Sequence, residues 1–397
     1  MDPIRNPYSP GAGSPPPALA GRDHLREQVR VAIARIRRGN SAKSILMVGL
    51  RGVGKTVLLD RMRADAEAVG VHTIRIEAPE NRSLPALLAP QLRLALLRLS
   101  HLDAAKEMAQ RGLRALAGFV GSLKIKYQDI EVGLDLAPEP GLADNGDLEG
   151  DLGALLQQVG QAALNGNTAL VMFIDELQYL QEDQFGALIS ALHRCAQNKL
   201  PITVVGAGLP QLRGLAGSAK SYAERLFDFP TIGPLKREEA ELAILKPARD
   251  EGEDFTPEAV VEIISQTRGY PYFLQEWGKH SWDVAEHSPI ALDNVVAASK
   301  EAIAALDESF FRVRFDRLTP AEKKYLRAMA DLGEGPHRSG VVAEELQKSV
   351  SSLGPVRQTL ITKGMIWSPS HGDTAFTVPL FDLFMKRIMP GPDWKSG

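Results

Sequence analysis

Cysteine is almost missing: Cys195 is the only one in 397 residues. No intramolecular disulfide can form and no cysteine zinc site can be assembled, so a reducing compartment is expected. Aromatic residues are scarce at 6%, and no charge sign dominates, with 46 Lys plus Arg against 49 Asp plus Glu. A formal charge of −3 argues against a polyelectrolyte-type nucleic-acid binder, though not against a local basic patch. Long hydrophobic runs are absent too. The longest are strand-length pieces such as Leu170 to Ile174, far short of a membrane span. The eight histidines show no metal-ligand spacing. The first residues lack an apolar h-region and do not read as a secretory signal. What is present, 44% apolar and 24% charged residues, is ordinary globular usage with room for two or three domains. The expected setting is soluble and cytoplasmic.

Residues 1–17 form a Pro-rich, low-complexity arm, expected to be extended and flexible because consecutive prolines resist helix and sheet alike. A helix is predicted over 23–38, where Leu25, Val29, Ile33 and Ile36 recur at helical spacing. Strands and helices then alternate. Strand-like runs occur at 44–48, 71–77, 169–174, 202–205 and 227–232, with helices at about 55–69 and 84–99. Continuous apolar strands of this kind are buried on both faces, so the fold class is α/β, a largely parallel sheet with helices on both sides. An insertion at about 101–150 contains two alternating runs, 123–127 and 130–134, which predict a β-hairpin, followed by an acidic, solvated loop over 138–150. Trp277, Trp282 and Phe273 read as helix core. From 236 to 314 the pattern is helical throughout. The remainder, 315–397, predicts three helices and two short β-prone runs, the elements of a winged helix, with Thr319-Pro320-Ala321-Glu322 as a helix start. The sheet domain is thus placed at 18–235.

The chemistry is carried by Gly49-Leu50-Arg51-Gly52-Val53-Gly54-Lys55-Thr56, which matches G-x-x-x-x-G-K-[ST] between a predicted strand and a predicted helix. Chance would supply the fixed positions in roughly one chain of this length in fifty. Glycines let the backbone curl so that successive N–H groups converge on phosphate oxygens, and the helix start at Lys55, Thr56 and Val57 adds partial positive charge. Lys55 would neutralise the β- and γ-phosphates, and the Thr56 hydroxyl would reach Mg²⁺. A second apolar strand ends in Asp175-Glu176, at the edge where open α/β sheets bind ligands. There Asp175 would hold Mg²⁺ through water and Glu176 would act as general base on the attacking water.

With these two motifs on the page, the chain resembles the AAA+ and STAND branch of P-loop ATPases, and within it the archaeal-ATPase and origin-recognition-type ATPases. The resemblance spans about 18–390. It implies ATP and Mg²⁺ as ligands, a helical lid after the sheet and a C-terminal winged helix. It also implies a nucleotide held between sheet domain and lid. Leu19-Ala20-Gly21-Arg22-Asp23 resembles the segment that borders adenine, which makes Arg22 a candidate contact; a plain helix cap is the alternative. Gly269-Tyr270-Pro271 resembles the G-x-P motif through which the lid approaches the base, which singles out Pro271; a helix stop and restart is the alternative. Arg225 stands where related proteins carry an arginine finger, and an exposed structural Arg is the alternative.

Two departures bear on rate. The fourth strand ends in Gly206-Ala207-Gly208-Leu209-Pro210-Gln211 with no Asn or Thr at the usual sensor position, which leaves Gln211 as a substitute. The lid motif has Tyr272 where a sensor Arg is common. Slow turnover, as in a nucleotide-dependent switch or assembly factor, is the expectation. Two other readings stay open: a DNA-binding ATPase related to replication initiators or transposition regulators, and a nucleotide-binding scaffold with negligible turnover. The presumed recognition helix, 351–363, carries only Arg357 and Lys363 as cations, so double-stranded DNA is not favoured. A homo-oligomer, or a protein partner met through the winged helix or the insertion hairpin, fits better. No membrane contact is expected.

Overall fold

The computed structural model describes every residue except 12, 14, 15, 134, 135, 396 and 397. The chain divides into two compact units, one of Arg22–Val48 and Lys55–Thr231, the other of Met1–Gly21, Gly49–Gly54 and Ile232–Gly397.

The first unit is built on strands β1 (Ser44–Val48), β2 (His72–Glu77), β3 (Leu170–Asp175), β4 (Ile202–Gly208) and β5 (Phe227–Asp228) in the order β2-β3-β4-β1-β5. All neighbours are parallel, with Ile45 opposite Val205, Thr73 opposite Val171 and Leu170 opposite Ile202. Every residue of β1, β3 and β4 is buried, as a sheet covered on both faces requires. The covering helices are α1 (Asp23–Arg37), α2 (Lys55–Ala68), α3 (Leu84–Ser100), α4 (Lys106–Leu123), α5 (Leu148–Asn165), α6 (Glu182–Gln197), α7 (Leu212–Ala219) and α8 (Ala223–Leu226). Their apolar stripes close one large core around Leu46, Ile74, Met172 and Ile174. Each such side chain, fully buried, contributes about 1.5–3 kcal/mol.

The insertion does not form the expected hairpin. Residues up to Leu123 belong to α4, whose buried Ala109, Leu113, Leu116, Val120 and Leu123 recur at helical spacing, so Leu123 completes a helix stripe instead of opening a strand. Lys126 and Tyr127 N–H groups both donate to the Leu123 carbonyl, which winds the chain off the helix in a turn. Ile125 is left 88% exposed while Tyr127 and Ile130 are buried. Leu134, the end of the expected hairpin, lies outside the described residues. The acidic stretch is also more than solvated loop. Asp147 caps α5 by accepting from the Gly150 N–H at 2.8 Å, and the buried Asp151 carboxylate gathers the Asn145 and Gly146 N–H groups at 3.0 and 2.9 Å.

The second unit contains helices α9 (Arg237–Asp250), α10 (Pro257–Thr267), α11 (Pro271–Val284) and α12 (Leu292–Leu306), then a π-helical turn at Asp307–Phe311 and α13 (Arg312–Phe315). After these come α14 (Pro320–Asp331), β6 (His337–Arg338), α15 (Ser339–Glu345), α16 (Val350–Thr362), β7 (Ile366–Trp367), β8 (Asp373–Phe376) and α17 (Phe381–Ile388). The three strands form an antiparallel sheet in the order β6-β8-β7. α14 starts in a capping box: Glu322 N–H donates to Thr319 Oγ1 and Thr319 N–H to Glu322 Oε2, at 3.3 and 2.7 Å. Trp277, Trp282 and Phe273 are buried, as read from their spacing.

The N-terminal arm is not loose where it is described, being tied to α9 and α11; Pro15 lies outside the described residues. Pro3–Arg5 makes a 3-10 turn. Tyr8 is buried, its hydroxyl donates to the Ile244 carbonyl of α9, and its ring meets the edge of Phe255 at 6.2 Å. Gly278 on α11 makes room for that ring, since a Cβ there would lie 2.5 Å from Tyr8 Cδ1. Asn6 donates to the Lys279 carbonyl at 3.0 Å and to Asp283 at 2.8 Å, while Trp282 Nε1 donates to the Asp2 carbonyl at 2.9 Å. Tyr8 and Asn6 give the arm its partners, and its proline content did not announce them.

Candidate functional site

β1 runs straight into the glycine loop, and α2 opens at Lys55. Gly49 is obligatory for packing: a Cβ there would lie 2.2 Å from the Ile232 carbonyl oxygen. Gly52 and Gly54 hold φ of 78° and 86°, a region costly for other residues. Val53 and Lys55 are buried, whereas Thr56 and Val57 are half-buried at the helix start. In a first turn of this kind the N–H groups have no partner within the helix and carry the positive end of its dipole.

In the second unit the loop touches other parts of the chain. The Tyr272 N–H donates to the Gly52 carbonyl at 3.2 Å, and the Arg51 N–H donates to the Thr377 carbonyl at 3.0 Å. Pro271, at the first turn of α11, has no N–H of its own, which makes Tyr272 the next donor of that turn. Gly269 adopts φ of 71° and packs against Leu235, whose carbonyl oxygen would be 2.7 Å from any Cβ at 269. The Gly-x-Pro segment therefore meets the phosphate loop through Tyr272, the residue that stands in place of a sensor Arg. The Tyr272 ring stacks on Phe310 at 4.8 Å, and its hydroxyl donates to Glu276 at 3.0 Å. Burial pushes the Glu276 carboxyl above its usual range.

In the sheet unit, Asp175 closes β3 with its side chain 2% exposed. Its Oδ1 accepts the Glu176 N–H at 2.9 Å and its Oδ2 accepts from Arg75 at 3.2 Å. Arg75 projects from β2 and also reaches Asp60 of α2 at 2.8 Å. This ion-paired arginine was not singled out from the sequence; a cation set between the buried Ile74 and Ile76 was the signal. Glu176 adopts φ 53°, ψ 35°, a left-handed conformation that costs a non-glycine residue roughly 1–2 kcal/mol. Its carboxylate accepts from Gln178 Nε2, and Gln178 Oε1 accepts the Leu209 N–H just past β4 at 2.9 Å. Gln211, the expected stand-in, does not make that contact, and its Oε1 is buried without a hydrogen-bond partner among the described residues. Arg22 is buried directly ahead of α1, and Arg225 is exposed on α8.

Oxygen donors suit Mg²⁺, which keeps several waters and takes only one or two protein ligands beside phosphate. The Thr56 hydroxyl and the Asp175 carboxylate are donors of that kind. No cluster of three or more His, Cys, Asp or Glu that could cage a metal occurs among the described residues.

Residues 18–205 match the AAA ATPase domain family, and residues 308–385 match a domain of unknown function. Over residues 18–205 the chain is thus similar to AAA ATPase domains. A Walker-type ATPase of Pyrococcus abyssi shares the fold at a TM-score of 0.58 and 15% identity, over 96% of this chain and 99% of that one. The Aeropyrum pernix Orc1 protein in complex with DNA aligns at a TM-score of 0.49 and 14% identity over 96% of each chain. An uncharacterized HTH-type transcriptional regulator of Methanocaldococcus jannaschii is 24% identical over 237 residues, which are 58% of this chain and 56% of that protein. The chain thus spans little more than half the length of that relative. No helix among the described residues is long and apolar enough to cross a membrane.

Proposed function

We propose that the chain binds Mg-ATP and hydrolyses it slowly, as a nucleotide-dependent switch or assembly factor. The observation that carries this reading is the glycine loop between β1 and α2, together with an acid pair ending β3 of the same parallel sheet. Lys55 and the loop residues Gly49 to Thr56 bind the phosphates, with Val57 continuing the helix start. Thr56 through its hydroxyl and Asp175 through water would hold the metal, which would withdraw charge from the phosphate oxygens. Glu176 takes the proton of the attacking water. Arg22 and Pro271 border the base, and Arg225 is a finger offered to a neighbouring copy. A buried lone cysteine fits a cytoplasmic setting.

The switch reading draws on the loop's own contacts. Arg51 N–H donates to a carbonyl of the C-terminal domain and Gly52 accepts from α11, so a change at the phosphates reaches both. A protein partner is favoured over duplex DNA by the fate of the two cations within 351–363, which leaves only Lys348 exposed just ahead of α16. Arg357 is engaged by Thr374 and Ser368 at 3.0 and 2.8 Å, and Lys363 by Glu322 at 2.8 Å. Neither side chain is spare for a phosphate backbone.

Thermal unfolding with and without Mg-ATP tests the site. Saturation at a thousandfold excess over Kd stabilises by about 4 kcal/mol. Lys55→Ala is expected to abolish that shift, and Glu176→Gln to keep the shift while losing turnover. An unchanged shift in Lys55→Ala would refute the phosphate-loop assignment.

A further inference from the structure

Glu176 faces an unusual neighbour. A general base is useful only if its carboxylate is held where the attacking water arrives, and a left-handed backbone such as that of Glu176 does not by itself fix χ angles. The side chain that fixes it is Gln178. The amide is orientated without ambiguity: the Leu209 N–H can only donate, so the atom facing it at 2.9 Å must be Oε1, and Nε2 is thereby turned to the Glu176 carboxylate. The end of β4 is shaped to receive this amide. A Cβ on Gly208 would lie 2.7 Å from Gln178 Oε1, and a Cβ on Gly206 would lie 2.3 Å from Leu177 Cδ1. Both glycines leave space for the turn Leu177–Tyr179 to sit on the strand end. The missing polar side chain at the end of β4 is thus explained: the position is filled from β3's side.

We propose that Gln178 is a positioning residue for the hydrolytic step. Its amide bridges Glu176 to the end of β4 and supplies, from a neighbouring strand, the polar contact that β4 lacks. This rests on the ATPase reading above, and it assigns the control of that site to a residue that touches neither phosphate nor metal.

Three variants of the full chain test it: Gln178→Ala, Gln178→Glu and Gln178→Asn. Expected for Gln178→Ala is a turnover lower by about tenfold to a hundredfold, the scale set by misplacing a reacting group, with the equilibrium affinity for Mg-ATP within twofold of wild type. Gln178→Glu still accepts from Leu209 but replaces the donor with a second carboxylate. Its turnover is expected to fall as in Gln178→Ala while affinity for Mg-ATP stays within twofold of wild type, a split that a merely structural role would not produce. Gln178→Asn, one methylene shorter, behaves like Gln178→Ala. Wild-type turnover in Gln178→Ala, parallel loss of affinity and turnover, or wild-type turnover in Gln178→Glu each overturns the proposal. Hydrogen exchange at the Leu209 amide is read in the same samples and needs no activity. It is expected to speed up at least tenfold in Gln178→Ala. Absence of turnover in wild type would defeat the ATPase reading alone, and the bridge would then stand or fall on Leu209 exchange, unchanged protection overturning it.

Discussion

Single side chains in this protein behave according to what surrounds them more than by type. Cys195 is fully buried on α6, and burial pushes its thiol up to about 12. The thiolate, not the thiol, attacks alkylating reagents, so Cys195 is expected to stay unmodified by iodoacetamide at pH 8 in the native protein and to react on unfolding. Prompt native-state labelling, read by mass spectrometry, would contradict its place in the core. The same dependence on surroundings governs what could be read in advance. Lys55, Thr56, Asp175 and Glu176 sit in motifs whose spacing is fixed by the phosphate and metal they would serve, so the chain itself displays them. Gln178 carries no such mark. Its importance comes from Leu209 and Gly208, which are close only once β3 and β4 are paired, and no local pattern contains that pairing.

Elements were legible where burial dictates composition. β1, β3 and β4 are continuous apolar runs because both their faces are covered, and α3 is a Leu-rich stripe between a Ser83 cap and its end near Ser100. The insertion misleads because five alternating residues after a helix look alike in a strand and in a turn; only the stripe running back through Val120 and Leu116 distinguishes them. The arm misleads for a different reason, since its anchor Tyr8 packs against a glycine of α11 far along the chain. That contact predicts a coupling. Gly278→Ala forces a Cβ against the Tyr8 ring, and overpacking of this kind costs about 1–3 kcal/mol. Tyr8→Ala alone costs about 3–5 kcal/mol, as loss of a buried aromatic does. Once Tyr8 is Ala, the second substitution is expected to add almost nothing, and strict additivity in denaturant unfolding would contradict the packing.

At the scale of the whole molecule, the exposed Arg225 on α8 separates two kinds of ATPase. Should a finger come from a neighbouring copy, turnover per chain rises with protein concentration, and Arg225→Ala removes the rise without changing the activity of dilute samples. A flat profile identical in wild type and variant would assign Arg225 to the surface. Such fingers are worth 10³–10⁵ in rate where they act, so the measurement has ample range. The loop's bond from Arg51 to Thr377 has a consequence of another sort. Were the phosphate of a bound nucleotide to claim that N–H, it would displace the Thr377 carbonyl, and nucleotide and C-terminal residues would compete for one donor. Rivalry of this kind is reciprocal by thermodynamic necessity. On that proposed reading, a partner that clamps the C-terminal residues with Thr377 in place would weaken nucleotide binding by the same factor by which nucleotide weakens the partner, and the chain would become a balance on which either ligand can be weighed against the other.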